Sequence, residues 1–143
     1  MVRENFARTI HNLFAWREKV DLAFELIIPC GAADTARFIL RGREDLLELQ
    51  ESKLHCLLRG PTIDNAPSFD LALVGFLENF SSCAKELRGC NGAVRVGIFY
   101  TAEETSVIPF RVSAIAIQKL ADLGLSLDAT GYPCAADNDD AAL

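Results

Sequence analysis

Histidine is scarce in this chain, and the residue patterns that accompany common chemistries are missing. The 143 residues include two histidines, His11 and His55, and no glycine-rich phosphate loop. The cysteines are odd in number, and no two have the two-residue gap of a zinc knuckle or a redox motif. The sequence therefore predicts no metal site, no cofactor and no catalytic residues of the Ser-His-Asp or Cys-His kind. The cysteines are Cys30, Cys56, Cys83, Cys90 and Cys134.

Long apolar runs are missing as well. The first 20 residues carry charges throughout, including Glu4 and Glu18, so they hold no uninterrupted apolar stretch of the kind a secretion signal needs. No run in the chain approaches the roughly 18 apolar residues that a membrane span requires. We therefore expect a cytoplasmic protein with no membrane partner.

The chain also lacks an excess of basic residues. It has 14 lysines and arginines against 20 aspartates and glutamates, which gives a formal net charge of −6. Non-specific nucleic-acid binding depends on Lys and Arg contacts to phosphates, so we expect no nucleic-acid partner. Half of the residues are hydrophobic, and this length is typical of one domain. We predict a single α+β domain over residues 1–132 and a flexible acidic tail over residues 133–143.

The apolar residues that are present recur with two periods. Alternation with period two predicts strands, and spacings of three and four residues predict helices. Asp34, Ser68 and Ser113 are suited to be helix N-caps, and the helix after Asp34 is predicted to continue past an interruption at Gly42. The predicted strands are 21–29, 53–59, 93–100, 106–112 and 125–131, and the predicted helices are 3–18, 34–51, 69–88 and 114–123.

From residue 53 onward these elements follow the order β-α-β-β-α-β, which is typical of ferredoxin-like folds. We therefore predict an α+β fold with a ferredoxin-like core over about 53–131 and one sheet with helices mainly on one face. The N-terminal helix-strand-helix would be an addition, whose strand could extend one edge of the sheet. Pro109 conflicts with an interior strand because proline cannot donate to a sheet ladder, so the strand at 106–112 must bulge or lie at an edge.

The C-terminal half contains a distinctive run of residues. The stretches FLENFSSCAKEL, AVRVGIFY and SAIAIQKLADLGLSLDATGY resemble a family of small bacterial domains of unknown function, numbered four-two-seven-nine. The resemblance covers roughly residues 69–132. It implies a helix, a hairpin, a second helix and a closing strand, and it implies no activity. The positions that carry the helix-to-strand motif are Leu120, Ala121, Leu123, Gly124, Leu125, Leu127, Asp128 and Tyr132.

The alternation that directs apolar residues toward the helices directs other residues to the second face of the sheet. Three arginines, a histidine and an aspartate are predicted to converge there, over an apolar floor of Leu57, Gly97 and Phe99. Arginine is favoured at interfaces and anion sites, so this face could bind an acidic protein partner or a small anionic ligand. It could equally be an ordinary polar face, or one covered by the N-terminal helix. The five predicted site residues are His55, Arg59, Arg95, Arg111 and Asp128.

These observations favour a non-enzymatic binding or protein-interaction module. The predicted helix at 3–18, which could pack on the domain's own core or serve dimerisation, leaves a homodimer open. The alternative is a sensor of a small anionic ligand. An enzyme is the third hypothesis, and it would need a cleft around His55 and Asp128. No catalytic residue is predicted.

Overall fold

The computed structural model describes residues 20–103, 108 and 110–135. This part of the chain is α+β, with one five-stranded mixed sheet and four helices. The strands are β1 (Val20–Pro29), β2 (Glu48–Glu51), β3 (His55–Arg59), β4 (Ala93–Thr101) and β5 (Ser126–Cys134). The helices are α1 (Ala33–Leu40), α2 (Phe69–Glu78), α3 (Ala84–Leu87) and α4 (Ala114–Asp122). The predicted helix at 3–18 and the end of the predicted tail lie outside the described residues.

The strand β1 forms the centre of the sheet. The strand order is β2-β3-β1-β4-β5, and β4 and β5 are parallel while the other neighbours are antiparallel. Every second side chain of β1 is buried, as its sequence alternation predicted, and these side chains point toward the helices. They are Val20, Leu22, Phe24, Leu26 and Ile28.

The main core lies between this face of the sheet and the helices. The ring of Phe24 stacks on Phe76 of α2 at 5.3 Å between centroids and contacts Phe69 at 6.3 Å. Ser68 and Ser113 cap α2 and α4, as predicted, by accepting hydrogen bonds from the amides of Leu71 and Ala116. Among the described residues, no helix is long and apolar enough to cross a membrane.

The ferredoxin-like order is not confirmed, and neither is the N-terminal addition. The strand at 20–29, expected at an edge, lies between β3 and β4. Because β4 pairs with β1 on one side and with β5 on the other, no position remains for a hairpin partner at 106–112. The described residues of that segment, Ile108 and 110–112, lie outside any strand. Ile108 and Val112 instead pack on the core, and the ring of Phe110 contacts Phe69 at 4.4 Å.

The predicted long helix from Asp34 to residue 51 was wrong. The helix α1 ends at Leu40, and Gly42 has a φ of +78°, a left-handed conformation that cannot continue a helix. The chain then enters β2, which the sequence analysis did not predict. Asp34 lies in the first turn of α1 and not at its N-cap, which is Ala32.

Two smaller corrections concern strand ends. Leu54, expected on the apolar face of its strand, is exposed because it precedes β3 in the turn after β2. Ala129, expected to face inward, is exposed because β5 lies at an edge. The strand β5 also runs to Cys134, so it includes the first residues of the segment predicted to be a tail.

Candidate functional site

The strand register brings four of the five predicted site residues to the second face of the sheet. Side chains of directly paired residues point to the same face, and Arg59 and Arg95 both pair with Glu25. Asp128 pairs with Arg95, and His55 lies on the same face because it is four residues before Arg59 in β3. The described helices pack on the opposite face, where the main core lies.

Five charged residues form a single line across all five strands, which we call the charge row. The register places Glu48 opposite Arg59, Arg59 opposite Glu25, Glu25 opposite Arg95, and Arg95 opposite Asp128. The sign of the charge alternates at every step. Opposite charges that face one another across strands stabilise a sheet, whereas like charges destabilise it. The charge row, from β2 to β5, consists of Glu48, Arg59, Glu25, Arg95 and Asp128.

Glu25 lies in the middle of the charge row and forms ion pairs with both arginines. The Nε of Arg59 lies 2.9 Å from one carboxylate oxygen of Glu25. Arg95 donates to the other oxygen twice, from Nη2 at 2.6 Å and from Nε at 3.0 Å. The Glu25 side chain is only 17% exposed, whereas both arginines are nearly half exposed. The carboxylate thus loses most of its water and gains two guanidinium partners, one of which donates two charge-assisted hydrogen bonds.

An aromatic pair lies beside the charge row on the same face. The rings of Phe99 and Tyr132, which pair across β4 and β5, stack at 5.1 Å between centroids. Both rings pass over Gly97, where a Cβ atom would lie 3.0 Å from Phe99 and 3.4 Å from Tyr132. The absence of a side chain at Gly97 therefore leaves room for the two rings above this residue. On the other side of the charge row, Leu57 is buried but does not belong to the main core.

The binding role of Arg111 stays a prediction, but strand alternation does not place Arg111 on this face. It lies outside any strand, in the segment that leads into α4. The segment cannot pair with β4 as the predicted hairpin requires, because both sides of β4 are already paired, by β1 and by β5. The apolar residues that alternate with Arg111 do not belong to a strand. Two of them, Ile108 and Val112, pack on the core.

His55 and Asp128 share a face but lie far apart. Three strand spacings and four residues of strand length separate them, which places their Cα atoms roughly 20 Å apart. These two residues therefore do not form the shared cleft that the enzyme hypothesis requires. In the described part of the chain, no group of three His, Cys, Asp or Glu residues could hold a metal ion.

Sequence reasoning missed Glu25, Glu48 and Tyr132. Glu25 alternates with the buried residues of β1, a strand that was correctly predicted, so the sequence could place Glu25 on the second face. The sequence could not show that Arg95 lies beside Glu25, because pairing between β1 and β4 joins residues 70 positions apart. Glu48 was missed because it was assigned to a helix.

A groove of about 360 Å³ lies on the helix side of the sheet, between α2–α3 and α4. Its charged groups already have partners within the fold. Lys119 pairs with Glu78 at 2.9 Å, and the Nε of Arg88 donates to the Asp122 carbonyl at 2.6 Å. These contacts join α2 and α3 to α4, so the charged groups that line the groove act in helix packing.

No family model, curated protein or solved structure matches this chain. The resemblance of residues 69–132 to a family of bacterial domains therefore stays a prediction.

Proposed function

We propose that this chain is a non-enzymatic protein-binding module that contacts its partner through the second face of the sheet. The observation that carries the proposal is the charge row, with its alternating signs across five strands. Such a pattern favours a complementary protein surface and penalises one that places like charges opposite it. The stacked rings of Phe99 and Tyr132 add the aromatic area in which interface centres are enriched.

The contacts of Glu25 favour a protein partner over a small anionic ligand. An anion would need the guanidinium groups of Arg59 and Arg95, and both are already paired with Glu25. The charge row as a whole holds three carboxylates against two guanidinium groups. An anion entering it would therefore have to displace Glu25 and would meet net negative charge.

The test is affinity capture from the native host with the full chain as bait. Two variants change the charge row, Arg95→Glu and Asp128→Lys. Two matched controls make the same charge changes at exposed positions outside the sheet, Arg41→Glu and Asp45→Lys. We expect a protein that the wild type and both controls retain equally, and that both charge-row variants lose by at least roughly tenfold.

Circular dichroism of each bait establishes that the variants are folded. Equal capture by the charge-row variants and the controls would contradict the proposal. The ligand alternative has its own measurement, which is thermal unfolding of the wild type in inorganic phosphate and pyrophosphate. Stabilisation by these anions that Arg95→Glu abolishes would favour the sensor over the protein-binding module.

A further inference from the structure

The strand β5 presents a row of backbone groups along its outer side. It is nine residues long and forms one edge of the sheet. The amide of Ser126 donates to the carbonyl of Gly92, so Ser126 and every second residue after it bond to β4. The N–H and C=O groups of Leu127, Ala129 and Gly131 therefore face away from β4. Among the described residues, no strand pairs with that side.

Pro133 belongs to the same outward-facing set. Its missing N–H therefore removes no hydrogen bond to β4, as expected for proline in an edge strand. Proteins usually protect a long edge with lysines, prolines or bulges along its length. From Ser126 to Tyr132 the sequence of β5 has no lysine and no proline. Three successive outward residues thus keep both a donor and an acceptor.

We propose that a second copy of this chain pairs with β5, antiparallel, about a two-fold axis at Ala129. In that register Ala129 faces Ala129 of the second copy, and Leu127 of each copy faces Gly131 of the other. Each of these three pairs exchanges two N–H to C=O bonds, so the interface contains six. Every outward donor from 127 to 131 is used, and Pro133 lies outside the bonded pairs.

Other registers leave a backbone group without a partner or place like charges opposite each other. An axis at Gly131 would place Ala129 opposite Pro133 and lose a donor in each copy. An axis at Thr130 would also give six bonds, but it would place Leu127 opposite Pro133, so the Leu127 carbonyl of each copy would have no donor. An axis at Asp128 would bring the two Asp128 carboxylates directly opposite each other, which is destabilising.

The residues on the second face are compatible with a copy of the same strand. With the axis at Ala129, the carboxylate of Asp128 lies opposite Thr130 of the second copy, whose hydroxyl can donate to it. Ser126 lies opposite Tyr132 in the same way. Because the axis is perpendicular to the sheet, the dimer would have one ten-stranded sheet with both second faces on the same side. The inference rests on the backbone of β5 and is independent of the proposed function.

Sedimentation of the full chain over a wide concentration range tests the proposal. We expect a concentration-dependent species of twice the 15.7 kDa chain mass. Thr130→Lys should tighten the dimer dissociation constant roughly 2- to 30-fold, because it places a lysine opposite Asp128 twice per dimer. Thr130→Glu should weaken it by a similar factor. Ala129→Pro should weaken it further, because it removes two of the six bonds.

Gln50→Lys is the matched control, since it adds the same charge to an exposed position of the opposite edge strand. It should leave the dissociation constant unchanged. A wild type that is monomeric throughout would overturn the proposal, and an edge strand supplied by another protein would then be the next occupant to test. A dimer in which Thr130→Lys and Thr130→Glu both behave like Gln50→Lys would overturn it as well. If both substitutions weakened the dimer, the axis at Ala129 would be wrong.

Discussion

Replacing Glu25 tests the charge row directly, because this one carboxylate forms ion pairs with both arginines. Glu25→Gln removes the negative charge and keeps the shape of the side chain and one carbonyl acceptor. Arg59 and Arg95 would then lie on either side of a neutral amide. We expect the folded state to lose stability, because two positive groups lose their shared counter-charge.

The size of the effect follows from exposure. An ion pair at a protein surface contributes about 0.2–1 kcal/mol, and a hydrogen bond to a charged group about 1.5–3 kcal/mol. Both arginines are nearly half exposed, so water compensates for much of the lost interaction energy. The surface value of about 0.2–1 kcal/mol therefore applies to each of the two ion pairs. Glu25 itself is 17% exposed, which limits screening of the two pairs. We expect Glu25→Gln to lower the free energy of unfolding by about 1–2 kcal/mol.

Urea unfolding followed by circular dichroism measures this loss, and double-mutant cycles divide it between the partners. Arg95 donates two hydrogen bonds to Glu25, whereas Arg59 forms an ion pair with it through Nε alone. The cycle of Glu25→Gln with Arg95→Met should therefore give a larger coupling energy than the cycle with Arg59→Met. The difference between wild type and Glu25→Gln should also shrink in 1 M NaCl, where the Debye length is about 3 Å. Equal stability of wild type and Glu25→Gln, or additive effects in both cycles, would refute the reasoning.

Two further predictions concern how the helices are held. Arg43 donates to the carbonyl of Asn79 at 2.7 Å and to Ser82 Oγ, so Arg43→Met should cost about 2 kcal/mol in urea unfolding; a cost below about 0.5 kcal/mol, as for an ordinary surface change, would contradict this role. Gly124 ends α4 with a φ of +65°, and a Cβ atom there would lie 3.0 Å from the Cα of Arg88. Gly124→Ala should therefore cost at least about 1–2 kcal/mol, and a fully stable variant would show that the backbone relaxes freely.

The sequence predicted the local elements better than their arrangement. The alternation from Leu22 to Ile28 indicates a half-buried strand, and the structure places a strand there. The same alternation fits an edge or a central position, because strand order depends on pairing between distant residues. The segment at 106–112 also alternates, yet its described residues pack on the helices because both sides of β4 are taken. The helix predicted past Gly42 failed because one glycine in a left-handed conformation outweighed the apolar spacing after it.

The candidate site was also predictable only in part: the sequence indicated the face of each residue but not the alignment of residues across strands. The period-two rule was enough to place Arg59, Arg95 and Asp128 on one face, because a side chain's face depends only on its position within its own strand. Their alignment in one row, and the presence of Glu25 between the arginines, depend on register across strands. Register is set by turns and by the packing of the other face, which a single sequence does not specify.

The central claim is that the second face contacts a protein partner, and photo-crosslinking tests it most directly. Tyr132 lies on that face and Phe38 lies on α1 on the helix side, and the two are 45% and 46% exposed. A benzoylphenylalanine at each position would therefore probe opposite sides of the sheet with matched access to solvent. In the native host, position 132 should give a heteromeric adduct, in addition to any adduct between two copies, and position 38 should give none. Heteromeric adducts from position 38 alone, or equally from both positions, would contradict the account.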